Sequence, residues 1–254
     1  MELIGNTIFT DIDQFIIISL IILISQIIYS TIGFGSGMFA ISMLAMLYGK
    51  IDFFVPFFIL VCLPTELFIS YKDKDYINFK KTWYFILSIF PLLFLGSYLL
   101  SNAKNVLLLL ILGTVIIILS LYHLFYEDKV KPDLSHPLWV PFFGSLSGLL
   151  GGLFGMAGPP LIFYFKANDF SKKAFRVALM SIFLFMTFMR ITFYTGFGLF
   201  NIRLILSSLT VLPFALIGLY IGGIFHEMIP EETFKKITSV VLLFSGILII
   251  IKNI

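Results

Sequence analysis

Apolar residues run along this chain in blocks of 18 to 22, divided by short polar stretches, at approximately 14–33, 53–71, 82–101, 105–126, 138–155, 174–195, 203–223 and 234–252. Crossing the ~30 Å hydrocarbon layer takes about 20 mostly apolar residues at 1.5 Å rise each. A core helix of a soluble domain keeps a polar face, whereas these blocks are apolar all round. The pattern predicts an all-α polytopic membrane protein. Composition agrees: 12% of the 254 residues are charged and mean hydropathy is +1.06, where soluble domains average roughly 25% charged.

The first block does not read as a secretory signal. Residues 1–13 hold no Lys or Arg, and Asp11 and Asp13 stand where a basic region would be required. The single cysteine, Cys62, excludes an internal disulfide, and no Cys/His cluster has metal-ligand spacing. No metal or cofactor is expected. The basic residues behind the net charge of +3 sit in short loops, so no nucleic-acid partner is expected. The polar linkers reach only about ten residues, which makes 1–254 a single membrane domain.

Displacing the sequence by 122 positions brings Pro91, Gly96 and Tyr98 over Pro213, Gly218 and Tyr220, and Ser25 over Ser147. It also lays Gly33-Phe34-Gly35-Ser36-Gly37 over Gly155-Met156-Ala157-Gly158-Pro159. The last helices, with Gly113 and Gly246, align after an insertion of eleven residues, read as a polar loop from His226 to Lys236. The chain thus reads as two repeats, approximately 12–126 and 138–252, joined by a linker at 127–137. Each has a long apolar segment broken at a glycine run, a short helix after the break, and three ordinary spans. Such repeats are common in secondary transporters.

Positive charge decides how the broken segments run. If they fold back as re-entrant hairpins, each half has three crossings and the halves are inverted. One face then collects Lys72, Lys74, Lys80, Lys81, Lys129, Lys131, Lys166, Lys172, Lys173, Arg176, Lys235 and Lys236, against Lys50, Lys104, Arg203 and Lys252 on the other. If they cross, the same residues divide 8 against 8. Cytoplasmic loops carry the excess of Lys and Arg, so the re-entrant, inverted arrangement is predicted, with both termini extracytoplasmic and the linker inside.

A helix broken at membrane depth exposes N–H groups at the start of the next helix, and these need a polar partner. Helix N-termini carry partial positive charge and free donors, which suits anions. Candidate substrate-binding residues are therefore Gly33, Gly35, Ser36 and Gly37 at the first break and Gly155, Met156, Ala157 and Gly158 at the second. Pro159 and Pro160 fit a first helical turn but remove two donors. Such runs also serve close helix packing alone; their recurrence at matching positions favours the site.

Two charges lie inside spans, where they are costly and often mark substrate or proton routes. Arg190 is a candidate anion ligand, its alternative being to snorkel to the outer surface. Glu66 is a candidate carrier of a coupling proton, its alternative being interfacial solvation near Lys72. Counted along their helices, the two fall toward opposite faces and are not expected to pair. Thr65, Gln26 and Tyr29 are candidate pathway residues.

Gly33-Phe-Gly-Ser-Gly37 resembles the G-F-G-G-G run of the TauE/SafE family, and Gly155-Met-Ala-Gly-Pro-Pro160 resembles its G-x-G-G-P-P run. Ser36 and Ala157 stand where glycine is usual. The length, two-half plan and glycine positions carry the resemblance over nearly the whole chain. It implies export of sulfite or an organosulfonate across the cytoplasmic membrane, with protons as a coupling ion. The residues themselves point only to a small anion moved by alternating access. A passive channel for anions or small solutes uses similar hairpins and is the alternative. A serine hydrolase built on Ser36 needs a base within reach, and no His lies inside a span, so no enzyme is expected. Oligomeric state is not legible.

Overall fold

A computed structural model describes residues 7–72, 79–125, 134, 136–167, 172–228 and 231–254. Ten helices follow in order among the described residues: α1 Ile12–Ile32, α2 Ser36–Tyr48, α3 Ile51–Lys72, α4 Phe79–Asn102, α5 Asn105–Phe125, α6 Trp139–Phe154, α7 Gly158–Ala167, α8 Lys172–Gly196, α9 Ile202–Met228 and α10 Glu231–Asn253. No strand occurs among the described residues. Among the described residues, six stretches are long and apolar enough to cross a membrane: Ile12–Thr31, Ile51–Tyr71, Trp83–Asn102, Asn105–Tyr122, Ala178–Gly196 and Ile202–Phe225. Shorter apolar helices are Ser36–Tyr48, Trp139–Phe154 and Ser239–Asn253.

The expected polar loop from His226 to Lys236 is mostly helical, since α9 runs on to Met228 and α10 starts at Glu231. Lys74, Lys129, Lys131 and most of the linker 127–137 lie outside the described residues.

Local chemistry sets the ends of the first hairpin arm. Asp11 caps α1, its Oδ1 accepting from the Gln14 N–H at 2.7 Å, while Gln14 Oε1 accepts from the Thr10 N–H at 2.7 Å. At the other end Gly33 takes φ +92° and closes the helix, its N–H donating to the Tyr29 carbonyl at 2.8 Å.

Contacts at the helix ends show how each broken segment runs. The charge of Asp11, at the start of α1, acts on Tyr48, at the end of α2. Asn105, at the start of α5, donates from Nδ2 to the Gly49 carbonyl, and Lys252, near the end of α10, donates to Met46 O at 3.0 Å. Hence α1 starts and α2 finishes at one end of the bundle, and α5 and α10 run antiparallel. At the other end, Phe143 near the start of α6 stacks at 5.4 Å from Phe163 near the end of α7. Phe163 in turn meets Tyr122, near the end of α5, at 5.6 Å. The start of α1 therefore lies toward the end of α2, and the start of α6 lies beside α7 and the end of α5.

The halves are interlocked. α1 packs along α9, and α6 packs along α4. Glycines form both seams: a Cβ on Gly218 would stand 2.5 Å from Leu23 O, and one on Gly96 would stand 2.6 Å from Leu149 O. Such small residues let membrane helices approach at backbone distance. α5 and α10 cross at Gly113 and Gly246, where a Cβ on either would lie 3.1 Å from the other's carbonyl oxygen. α3 and α8 pack against each other and form the remaining central pair.

Candidate functional site

Between the breaks, α3 and α8 lies a cavity of about 40 Å³. Its walls are Phe34, Gly35, Ser36, Gly37 and Met38 from the first break, Gly155 to Pro159 from the second, Tyr29 from α1, Phe58, Ile59, Cys62 and Glu66 from α3, and Phe183 and Arg190 from α8. One water needs roughly 10–15 Å³ in this measure, so the space suits about three waters or an ion of a few heavy atoms.

The two breaks touch. A Cβ on Gly37 would stand 2.7 Å from the Gly155 carbonyl oxygen, and one on Gly158 would stand 3.6 Å from the Phe34 Cβ. α2 begins at Ser36 with Gly35 at φ +87° and no side chain capping its first turn. Gly35 must be glycine to make this turn without strain.

The donors divide differently from the sequence reading. The Gly33 and Gly155 N–H groups bond to Tyr29 O and Gly151 O, and the Met156 N–H reaches back to Leu150 O at 3.3 Å. The last two bonds close α6 in a Schellman-type end. The N–H of Met156 is therefore engaged by the helix that stops, although the residue lines the cavity, and Gly33 lies outside the cavity wall. At the second break the donors left for a ligand belong to Ala157 and Gly158, and at the first to the opening turn of α2.

Arg190 does not snorkel. It is 5% exposed and folds toward the start of its own helix. Nη2 donates to Thr187 Oγ1 at 2.9 Å, Nε to Met186 O at 3.4 Å and Nη1 to Gly151 O at 3.3 Å. Glu66 is not interfacial either, being 3% exposed. Its Oε1 accepts from the Tyr29 hydroxyl at 3.1 Å, and its Oε2 has no hydrogen-bond partner of good geometry. The Thr187 hydroxyl and the Arg190 charge both act on the carboxyl.

The expectation that Glu66 and Arg190 lie toward opposite faces is thus corrected. The reason is side-chain direction. Side chains tilt toward the N-terminus of their helix. α3 starts at the end of the bundle where α8 stops, as Ile51 N bonds to Asn105 Oδ1 and Phe197 meets Tyr98 at 5.8 Å. In antiparallel neighbours the tilts converge, and two charges at different depths reach one cavity.

Gln26 and Thr65 do not line that cavity. Thr65 Oγ1 donates to Gln26 Oε1 at 2.8 Å, and Gln26 Nε2 donates to Cys62 Sγ at 3.3 Å, a chain behind the wall. Thr187 escaped the sequence reading. Its signal was its place three residues before Arg190, on the same helix face.

The fold and site define a class: a multi-pass helical membrane protein with two broken helices meeting at a buried polar cavity that holds one carboxylate and one guanidinium. The sequence profile of the family described as "Sulfite exporter TauE/SafE" matches residues 18–249. The chain belongs to that family. It is 29% identical over 149 residues to the protein named "Probable sulfite/organosulfonate exporter TauE" of Cupriavidus necator, covering 58% of this chain. The match spans 57% of that relative's length. No solved structure matches the chain.

Proposed function

We propose that this protein is a secondary transporter that exports a small anion, sulfite or an organosulfonate, across the cytoplasmic membrane, with protons as the coupling ion. The observation that carries the reading is the shared cavity, where two helix starts and the Arg190 guanidinium converge on a space of about 40 Å³. The uncapped first turn of α2 and a buried cation both favour an oxyanion. Family membership and the name of the Cupriavidus necator relative supply the sulfur chemistry.

The halves are inverted repeats in this reading, supported by the opposite ends from which the hairpins enter and by the antiparallel α5 and α10. Both termini are then extracytoplasmic and the loops rich in Lys and Arg cytoplasmic. Access alternates between the two sides of the membrane. Because α1 packs along α9 and α6 along α4, the moving bodies are not the two sequence halves; each takes a hairpin from one half and a span from the other.

Uptake by liposomes containing the purified protein tests the reading, with sulfite, sulfate, thiosulfate, sulfoacetate and taurine offered with and without a pH gradient. Saturable uptake of one of them, raised by an acidic exterior and lost when Gly35 and Gly158 are made bulky, is expected. Flux that fails to saturate and never runs against a gradient would favour a passive channel instead.

A further inference from the structure

The cavity holds two opposite charges, and that fixes what enters with the anion. The titratable and charged groups around the Glu66 carboxyl are Arg190 from α8, Tyr29 from α1 and Cys62 one turn earlier on α3. The remaining described lining, from α2, α7 and both breaks, is neutral. Without a ligand, one carboxylate and one guanidinium balance. A monovalent anion placed between them leaves a net negative charge where little water reaches. Uncompensated buried charge is costly, and the usual relief is a change of protonation.

Glu66 is placed to give that relief. Glu66 lines the cavity, and its Oε2 is buried with no hydrogen-bond partner of good geometry, although the Thr187 hydroxyl acts on the carboxyl. Its Oε1 is already held by Tyr29. A proton on Oε2 would neutralise the carboxyl, free the whole guanidinium charge for the anion, and supply a donor to one of the anion's oxygens.

We infer that the site binds a monovalent oxyanion together with one proton, taken up by Glu66 as the Arg190 charge, which otherwise acts on the carboxyl, is given over to the anion. This rests on the anion-transport reading above and specifies it. The cargo is one anion plus one proton, the equivalent of a neutral acid, so the transport step moves no net charge, and export runs down the anion's own outward gradient, carrying a proton out with it, rather than being driven by an inward proton gradient.

Methanesulfonate is a suitable probe, because it is a monovalent oxyanion with no titratable proton of its own near neutral pH. Its binding to the detergent-solubilised protein is followed in weakly buffered solution, reading heat and released or absorbed protons together. Wild type is expected to absorb close to one proton per anion bound, with affinity falling about tenfold per pH unit as pH rises through the range of uptake. Glu66→Gln is expected to bind with no proton uptake and no pH slope. Proton uptake that persists in Glu66→Gln, or binding to wild type without uptake, would overturn the inference while leaving the anion site standing. Absence of binding to wild type would overturn the anion reading itself. A second measurement needs no variant: methanesulfonate flux into wild-type proteoliposomes should acidify the interior and ignore an imposed potassium diffusion potential. Flux that follows the potential would also overturn the inference.

Discussion

Gly37 and Gly155 meet so closely that a Cβ on the first would stand 2.7 Å from the carbonyl oxygen of the second. Nothing flexible separates the two breaks, because the obstructing atom is backbone. Gly37→Ala is therefore expected to destabilise the protein by about 1–3 kcal/mol through overpacking. It should also cut anion uptake by about tenfold or more, the equivalent of ~1.4 kcal/mol. Thermal unfolding in detergent and liposome flux check both effects. Gly196→Ala, with open space around the added Cβ, serves as the control that keeps its flux.

Arg190 offers its charge to the cavity from a scaffold of Thr187, Met186 and Gly151. Removing a charge-assisted contact costs roughly 1.5–3 kcal/mol. Arg190→Ala should weaken anion binding by roughly 10- to 100-fold on that scale. Thr187→Val keeps the charge and loosens its position, so a smaller loss is expected. Calorimetric titration separates the two; equal losses would mean that the charge itself contributes little.

Tyr29→Phe removes the hydroxyl that donates to Glu66 Oε1 and preserves the ring that packs at 6.4 Å from Phe183. A buried acceptor left without this donor costs about 1–3 kcal/mol. Lower thermal stability with little change in far-UV circular dichroism is expected.

Asp11 gives a pH-dependent effect outside the spans. Hydrogen bonds from the Gln14 N–H and from Thr10 hold its carboxyl below the ordinary carboxylate range. A lowered folded value means that the contribution is present above the unfolded value and is lost as pH falls through the folded one. Asp11→Ala should accordingly be less stable than wild type at neutral pH, and the difference should vanish in strong acid. A gap that persists in acid would assign the effect to something other than the ionised cap.

Much of the fold was legible because it rests on local rules. The breaks at Gly33 and Gly155 recur at one offset, and in the structure both glycines end their helices in the left-handed conformation. The segment after each break is short, as the spacing of the glycine runs and the next polar residues predicted. What escaped was the convergence of Glu66 and Arg190. At the repeat offset they fall on Phe188 and Phe68, so no symmetry links them. Counting turns from a helix end locates a Cα and ignores the lean of a long side chain. Met156 escaped for another reason: a glycine end closes its helix with the next residue's N–H, a donor that looks free in a linear reading.

The seam between α1 and α9 has a consequence for how the molecule is made. Thr31 Oγ1 donates to the carbonyl of Gly222, a partner 191 residues further along the chain. A ribosome will have delivered seven intervening helices before the first one can find its mate. Until then the groove-shaped surface that awaits Gly218 and Gly222 stands open to lipid or to a chaperone. α1 is thus among the last of the described helices to be locked, and neither half expressed alone possesses the surface on which its own hairpin rests.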